Sequence, residues 1–116
     1  MTWADVARVH RTHGGVAIRD GVAFSLLCSD RTDSIYQDIV RDGEILYNFG
    51  SRYPTKAGEV HFRTISHALS AAKDSRSRLL VFRKNGVNDW SCLGEFVIER
   101  IDSVDTCRIV IRLVLA

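Results

Sequence analysis

Hydrophobic and polar positions divide the chain into short segments of two kinds, helical and extended. Residues 3–10 place apolar and aromatic side chains on one helix face, directly after a Thr2–Asp5 capping-box pattern. The helical spacing returns from His61 to about Ser75. The extended apolar segments are residues 16–19, 22–28, 35–40, 44–49, 78–83, 92–101 and 106–115. The pattern predicts an α+β fold, a curved antiparallel sheet or small β-barrel with two flanking helices.

Turn residues separate these segments. Asp20-Gly21 is a tight-turn dipeptide between the first two strands, and residues 41–43, Arg-Asp-Gly, separate the next pair. Gly14-Gly15 is predicted to end the first helix. Residues 50–60 are rich in Gly, Ser, Pro and basic side chains, which predicts a loop of about eleven residues. Long loops on rigid scaffolds often carry function, so this loop is a candidate binding element.

Length and composition indicate one globular domain spanning residues 1–116, of which 46% are hydrophobic and 26% charged. No apolar run approaches the roughly 20 residues that cross a bilayer, and the N-terminus lacks signal-peptide features, so we expect a cytoplasmic protein without a membrane partner. The three cysteines contain no C-x-x-C pair. Cys28, Cys92 and Cys107 are therefore predicted to be small buried residues and not a disulfide or zinc framework.

Basic residues are concentrated in one part of the chain. Residues 50–84 hold eight basic side chains against two acidic ones, although the whole chain has a net charge of only +2. Arginine outnumbers lysine thirteen to three, and the guanidinium group suits bidentate contacts with phosphate and base edges. One basic face on a nearly neutral protein is typical of nucleic-acid binding, while a solvated charged surface explains the same pattern without a partner.

Common catalytic signatures are missing from the sequence. It contains no G-x-G-x-x-G, Walker loop, G-x-S-x-G or H-E-x-x-H motif. His10 and His13 lie one helical turn apart, but no nearby ligands complete a tetrahedral metal site. We therefore expect no catalytic residue, no metal and no cofactor in this domain.

Aromatic residues stand beside polar residues in the middle of the chain. Tyr36 precedes Asp38, Tyr47 precedes Asn48 and Phe49, and Tyr53 lies in the basic loop. An unpaired or flipped base needs an aromatic face for stacking, a carboxylate or amide for its edge, and cations for the flanking phosphates. The chain supplies all three, although half-buried strand aromatics are also common in β-rich domains.

The order of these segments resembles the SRA (SAD/SRA or YDG) family. The resemblance covers about residues 22–101 and is carried by Phe24-Ser25-Leu26-Leu27-Cys28-Ser29, Ile35-Tyr36-Gln37-Asp38, the run from Asp42 to Gly50, Ile65-Ser66-His67-Ala68-Leu69, Leu80-Val81-Phe82-Arg83 and the run from Trp90 to Ile98. The chain departs from the family pattern at Ser34-Ile35, where the family has Gly-Gly, and at Ser66, where it has Asn.

This resemblance implies a PUA-like fold and a function. The chain is expected to be a DNA-binding module that flips a modified base, a modified cytosine above all, out of double-stranded DNA. Such modules accompany nuclease domains in bacterial modification-dependent restriction, so a covalently linked nuclease domain is an expected partner. The implied base pocket is Tyr36, Asp38, Tyr47, Asn48 and Phe49. Contacts to the nucleic-acid backbone are assigned to Arg52, Lys56, Arg63, Arg83 and Lys84.

Three other functions remain open from the sequence. One is a small hydrolase or glycosylase acting on a modified nucleoside, with Asp38 or Glu95 as the acid or base and Lys56 or Lys84 assisting. Another is a PUA-like RNA-binding domain, which would favour unstacked bases. The third is an interaction domain without nucleic acid.

Overall fold

The computed structural model describes residues 1–31, 37–50, 56–105 and 108–116. These residues form two helices and seven strands in the order α1 (Trp3–His10), β1 (Val16–Arg19), β2 (Val22–Cys28), β3 (Ile39–Arg41), β4 (Glu44–Gly50), α2 (Lys56–Ser75), β5 (Leu79–Gly86), β6 (Asp89–Asp105) and β7 (Arg108–Leu115). The predicted α+β fold with two helices is confirmed.

All seven strands belong to one open sheet, in the order β1-β2-β5-β6-β7-β4-β3. The sheet is mixed and not wholly antiparallel as the sequence predicted, because β2 and β5 pair in parallel. The connection between them explains the difference. It includes the β3-β4 hairpin and α2, so the chain has enough length to bring β5 back in the direction of β2.

The predicted hairpin turns have the expected backbone. Asp20 and Gly21 join β1 to β2 with φ angles of 53° and 78°, as a two-residue hairpin loop requires, and Gly43 has a φ of 74° between β3 and β4. Strand β3 begins at Ile39. The first two residues of its predicted strand, Ile35 and Tyr36, lie outside the described residues.

The helices begin and end at different residues from those predicted. The capping box of α1 is confirmed, because the Thr2 Oγ1 accepts from the Asp5 amide at 3.4 Å and the Asp5 carboxylate accepts from the Thr2 amide at 2.9 Å. However, α1 ends before the two glycines, since Arg11 adopts a left-handed conformation with φ of 59°. Helix α2 begins at Lys56 and not at His61, so a helix includes Gly58 despite its low helix propensity.

The two helices cover opposite faces of the sheet. Alternate side chains of the central strands point to opposite faces, so Leu26 and Val81 belong to the main core under α2, whereas Leu27 and Phe82 pack on the α1 side. The buried residues of α2 are Phe62, Ile65, Ala68, Leu69 and Ala72. Burial of this face stabilises the helix enough to outweigh the glycine.

The cysteine prediction is confirmed for one residue and wrong for another. Cys28 is buried at the end of β2, but Cys92 is exposed on β6. Cys92 pairs with Phe82 and therefore lies on the α1 face of the sheet, where the eight-residue α1 leaves it exposed. Cys107 lies outside the described residues.

Candidate nucleic-acid interface

Asp38 connects the ends of two distant strands. Its Oδ2 accepts a hydrogen bond from the Ser29 amide and its Oδ1 accepts one from the Asn48 amide, both at 2.8 Å. Its own amide donates to the Ser29 carbonyl at 2.9 Å. Ser29 follows β2 and Asn48 belongs to β4, which lie on opposite sides of the sheet order. The Asp38 side chain therefore links β2 and β4, two strands that do not pair with each other in the sheet.

Burial makes the charge of Asp38 costly. The residue is 4% exposed, and desolvation raises the pKa of its carboxyl to about 6, with the two amide donors opposing the shift and Asp30 adding to it. At neutral pH the carboxylate is mostly ionised and can accept hydrogen bonds only. Among the described residues each oxygen accepts one hydrogen bond from a backbone amide, and a carboxylate oxygen can accept two.

Tyr47 lies beside Asp38 and is also buried. It is 4% exposed within the main core, and its hydroxyl donates to the Gly15 carbonyl at 3.3 Å. A Cβ at Gly15 would lie 2.7 Å from that hydroxyl oxygen, so a larger residue there would force the buried Tyr47 side chain or the Gly15 backbone to move. Burial and the nearby Asp38 charge raise the pKa of Tyr47, and the phenol stays neutral. This contact joins β4 to the segment before β1 and is a second link between distant strands.

The segment that receives Tyr47 is itself held by a buried histidine. His10 is 1% exposed, its Nε2 lies 2.6 Å from the Gly14 carbonyl oxygen, and its Nδ1 lies 2.5 Å from Ser25 Oγ. A carbonyl can only accept, so the network assigns the proton to Nε2 and makes Nδ1 the acceptor from the Ser25 hydroxyl. His10 is thus a satisfied neutral imidazole, and it positions the Gly14-Gly15 turn against Tyr47.

Cys28 lies in the same buried region but is not suited to act as a nucleophile. Burial, with the Asp38 charge adding to it, raises the pKa of the thiol to about 12. The reactive form of cysteine is the thiolate, which is therefore scarce here at neutral pH. Cys28 acts as a small core residue, as the sequence analysis predicted.

Arg83 has a partner within the protein. Its Nε and Nη2 donate to the two carboxylate oxygens of Asp30 at 3.1 and 2.6 Å, a bidentate pair. Asp30 follows Ser29, whose amide holds Asp38. The sequence places Arg83 among the expected contacts with the nucleic-acid backbone. In the structure it anchors the segment that positions Asp38, and only its remaining donor capacity is available for a phosphate.

Asn48 and Phe49 are placed by contacts within the protein. The Asn48 side chain donates to the Gln37 carbonyl at 3.0 Å and accepts from Arg108 at 3.3 Å. The Phe49 ring stacks on Phe62 of α2 with centroids 5.8 Å apart. The structure thus brings Asp38, Tyr47 and Asn48 together, while the ring of Phe49 packs against the helix.

The other predicted site residues are dispersed. Lys56 and Arg63 are exposed on α2, whereas Lys84 is exposed beside Trp3 and Leu27 on the α1 side of the sheet. Tyr36 and Arg52 lie outside the described residues, as does Tyr53. The basic block of the sequence is therefore not one continuous patch among the residues that the structure describes.

Sequence reasoning missed the residues that position the site. These residues act through backbone groups or through partners distant in sequence, and no motif marks such contacts. They are Ser29 with its amide, Gly15, His10 and Arg108. The Gly14-Gly15 pair is the one visible signal among them, but from the sequence it indicates only a helix end.

Residues 1–31, 37–50, 56–105 and 108–116 contain no group of three or more His, Cys, Asp or Glu side chains that could hold a metal ion. Neither α1 nor α2 is long and apolar enough to cross a bilayer, and no other helix is described.

Comparison with known proteins gives matches among solved structures. No family model matches the chain, and no curated protein matches it significantly. A complex of the SUVH5 SRA domain with fully methylated CG DNA aligns at a TM-score of 0.71 and 18% identity, over 100% of this chain and 84% of that chain. The complex with hemimethylated CG DNA gives 0.69 and 18%, over 98% and 81%.

A longer protein gives a similar alignment. Arabidopsis thaliana SUVH6 in complex with SAM aligns at a TM-score of 0.64 and 15% identity, over 97% of this chain and 23% of that chain. At such low identity these alignments establish the fold and leave the ligand open. The mixed sheet with its two helices, which positions Asp38 and Tyr47 together, therefore has the fold of an SRA domain.

Proposed function

We propose that this chain is a reader of modified cytosine in double-stranded DNA and that it holds the flipped base against Asp38. The observation that carries the proposal is the buried Asp38 carboxylate, which two backbone amides hold in one orientation. The fold supports it, because the SUVH5 SRA domain with this fold is seen in complexes with methylated CG and CHH DNA.

The chemistry of Asp38 selects the class of base. A carboxylate accepts from the exocyclic amine of cytosine, whereas the carbonyl of thymine at the same position would be repelled. Two backbone amides keep the carboxylate in one orientation, so a base does not have to order it on binding. The Asp38 side chain is proposed to read the Watson–Crick edge.

Aromatic side chains supply the stacking. The proposed pocket combines Asp38 and Tyr47 with Tyr36, and with Asn48 at its rim, whereas the Phe49 ring that the sequence also suggested packs on Phe62. Tyr47 is fixed by its bond to Gly15, so its ring is held in one place beside the carboxylate. Stacking on one ring contributes roughly 1–3 kcal/mol and helps to offset the few kcal/mol that unpairing a base costs.

Cations would hold the flanking phosphates. Lys56, Arg63 and Lys84 are exposed, and together with Arg52 they are the proposed backbone contacts. Arg83 contributes mainly through its pair with Asp30. Such contacts add affinity without sequence preference and make the binding sensitive to salt.

The test is binding to short duplexes that differ at one central cytosine, which is unmodified, 5-methyl, 5-hydroxymethyl or glucosylated. Fluorescence anisotropy at two salt concentrations separates base selectivity from backbone affinity. We expect the wild-type protein to prefer one modified duplex. Asp38→Asn should lose at least about tenfold of this preference while keeping the salt-dependent background, since the amide places a donor where the base donates.

Asp42→Asn is the matched control for Asp38→Asn. Asp42 is exposed in the turn between β3 and β4, so this variant makes the same change in net charge away from the pocket. It should bind like wild type. Equal affinity of the wild-type protein for all four duplexes would overturn the proposed function, and equal preference in wild type and Asp38→Asn would overturn the pocket.

A second function is favoured by one observation, the raised pKa of Asp38. A carboxyl with a pKa of about 6 suits general acid–base chemistry near neutral pH, as a glycosylase or nucleoside hydrolase requires. The other candidate acid, Glu95, is exposed and paired with Arg78 at 3.0 Å. Mass spectrometry of modified DNA and nucleosides after incubation with the protein would detect a released base, which a reader does not produce.

The wider biological role belongs to the same proposal. The resemblance to SRA modules favours a bacterial, cytoplasmic restriction–modification function with a covalently linked nuclease domain as effector. Sequencing the whole gene that encodes this chain tests the linkage, and nuclease assays on modified plasmid DNA test the activity.

A further inference from the structure

Strand β1 forms one edge of the sheet. It stands at the end of the strand order, and among the described residues it pairs only with β2. An edge strand presents backbone amides and carbonyls with which a further extended chain can pair. The opposite edge is β3, which has three residues against the four of β1. The two edges therefore offer a comparison within one sheet.

Two residues of β1 direct their backbone groups to the open side. In an antiparallel pair, residues that exchange hydrogen bonds with the partner strand alternate with residues that do not. The Gly15 carbonyl accepts from the Leu27 amide at 2.8 Å, and Arg19 pairs with β2 across the two-residue turn. Val16 and Ile18 are the neighbours of these two residues, so their amides and carbonyls point away from β2.

A groove of about 470 Å³ lies along this edge. It is lined by all four residues of β1, by the end of α1 with the two residues that follow, and by His61, Thr64 and Ile65 of α2. Because the two helices cover opposite faces of the sheet, each contributes one wall and β1 forms the floor. An extended peptide in this groove would pair with β1 and direct its side chains alternately to the two walls.

The two walls differ in chemistry. The first and third residues of β1 belong to the main core under α2 or pack against it, so the fourth, Arg19, points to the α1 side. The Arg19 guanidinium lies 4.7 Å from the centroid of the Phe24 ring, a cation–π contact that orients it, and Arg11 directly follows α1. The α2 wall presents Thr64 and Ile65, which carry no charge.

The charge of the groove indicates the class of its partner. Arg11 and Arg19 line one wall and His61 the other, and among the described lining residues there is no Asp or Glu. A surface of one charge sign attracts a partner of the opposite sign and disfavours partners of its own. The groove is therefore complementary to an acidic segment.

We propose that the edge of β1 is a docking site for an extended acidic peptide of a partner protein, which adds a strand to the sheet. The outward backbone groups of β1 pair with the peptide, Arg11 and Arg19 bind its acidic side chains, and uncharged side chains alternate with them on the α2 side. The backbone groups favour a peptide over nucleic acid, because a phosphodiester chain has no amides to continue a ladder. None of the described residues proposed to bind DNA lines this groove, so the site adds a function to base reading.

The test is a titration of the isotopically labelled protein with a pool of octapeptides, followed by two-dimensional NMR. The peptides alternate Asp or Glu with Val, Ile, Thr or Tyr. We expect the amide signals of Val16 and Ile18 to shift and to exchange more slowly with solvent, because these amides become hydrogen-bonded. The same pool with N-methylated backbone amides should bind at least about tenfold more weakly, since it cannot donate to the β1 carbonyls.

Ile18→Pro removes one outward amide and places a ring on the open side. Proline is tolerated in an edge strand where its nitrogen faces solvent, so thermal melting should show a folded protein. We expect at least about a tenfold loss of peptide affinity. Val40→Pro is the matched control, because Val40 holds the same position in β3, directly before an Arg-Asp-Gly sequence. This variant should bind the peptides like wild type.

Arg19→Glu tests the charge without changing the backbone pairing, and it decides the matter if the proline variant does not fold. It should weaken binding of the acidic pool about fivefold and strengthen binding of a pool with Lys in place of the acids. Arg41→Glu, at the matching position of β3, should have no effect on either pool.

Three outcomes would overturn the proposal. They are a wild-type protein that binds no peptide of the acidic pool, equal binding of the N-methylated pool, and a short DNA duplex that displaces the peptides while shifting the same β1 amides. The last result would assign the groove to nucleic acid. Loss of peptide binding does not affect the preference for a modified duplex, so failure of this site and failure of the proposed base reading are distinguishable.

Discussion

His10 and Asp38 are both buried titratable side chains. Burial favours the neutral form of each, but only His10 has hydrogen-bond partners that suit its neutral form. Desolvation lowers the pKa of His10 and favours the neutral imidazole, which is the form that the Gly14 carbonyl and Ser25 hydroxyl satisfy. Desolvation raises the pKa of Asp38 and favours the neutral acid, whereas the two backbone amides are satisfied best by the carboxylate.

The difference separates a structural group from a candidate functional one. His10 stabilises the fold in its ordinary state at neutral pH. Asp38 keeps a charge that burial opposes, and a pKa raised from 3.8 to about 6 corresponds to roughly 3 kcal/mol of stability lost at neutral pH. Perturbed groups of this kind concentrate at functional sites. Asp38 is therefore the stronger candidate for a functional group of the two.

The largest effect on stability is expected for His10→Ala. The substitution leaves the Ser25 hydroxyl and the Gly14 carbonyl without their partner and opens a cavity, which should cost about 3 kcal/mol. His13→Ala is the control, because His13 is exposed and its ring stacks on Trp3 at the surface, so its loss should be within about 0.5 kcal/mol. Urea denaturation measures both. Similar values for the two variants would contradict the structural role of His10.

Gly15→Ala tests the link between the histidine and the pocket. The added Cβ would lie 2.7 Å from the Tyr47 hydroxyl oxygen, and relieving this clash should cost about 2 kcal/mol. Tyr47→Phe removes that oxygen, so the double variant should recover most of the loss. A double-mutant cycle on thermal stability measures the coupling. Additive effects would show that Gly15 and Tyr47 do not meet as described.

The pH dependence of stability should have opposite signs for the two groups. The folded pKa of Asp38 lies above its unfolded value of 3.8, so its protonation stabilises the fold as the pH falls through about 6. The folded pKa of His10 lies below 6.5, so its contribution is present above 6.5 and is lost on acidification. Between pH 7 and pH 5 the Asp38 gain should be about 1 kcal/mol.

Asp38→Asn removes this gain and leaves the His10 loss. Its unfolding free energy should therefore fall more steeply from pH 7 to pH 5 than that of wild type, whereas the exposed Asp42→Asn should follow wild type. Denaturant titrations across this range provide the measurement. Parallel curves for wild type and Asp38→Asn would contradict a raised pKa at Asp38.

The smallest effect is expected for Arg83→Ala. Its pair with Asp30 is partly exposed, with side-chain exposures of 36% and 27%, so we expect a stability loss of about 1 kcal/mol. If Arg83 positions the Asp38 segment, the preference for the modified duplex should fall about threefold with an unchanged salt slope. An equal loss of affinity for all duplexes, with a smaller salt slope, would instead support the phosphate contact that the sequence predicts for Arg83.

The sequence predicted the elements better than their arrangement. Hydrophobic periodicity and the Asp-Gly turns depend on neighbouring residues, so α1, the hairpins and the strand-forming segments could be predicted from it. The parallel pairing of β2 with β5 could not, because it depends on how α2 packs. The start of α2 at Lys56 was missed for the same reason, since tertiary burial stabilises a helix that includes Gly58.

The candidate site divides in the same way. Asp38, Tyr47 and Asn48 could be selected from their residue types, their order and the family they resemble, because an acid beside aromatics suits a base. The sequence did not show that Phe49 stacks on Phe62 or that Arg83 binds Asp30. Those partners are 13 and 53 positions apart in the chain, and no local pattern relates them.

By itself the sequence determined the chemical inventory of this protein: which segments form helices and strands, where the turns fall, and which side chains can stack, accept or carry charge. Tertiary structure alone decided which of these groups meet. Asp38 has its raised pKa because segments from opposite sides of the sheet order exclude water from it, and the two backbone amides that these segments supply only partly oppose that shift. Burial and backbone donors are properties of the folded chain, since they arise only when distant segments exclude water together.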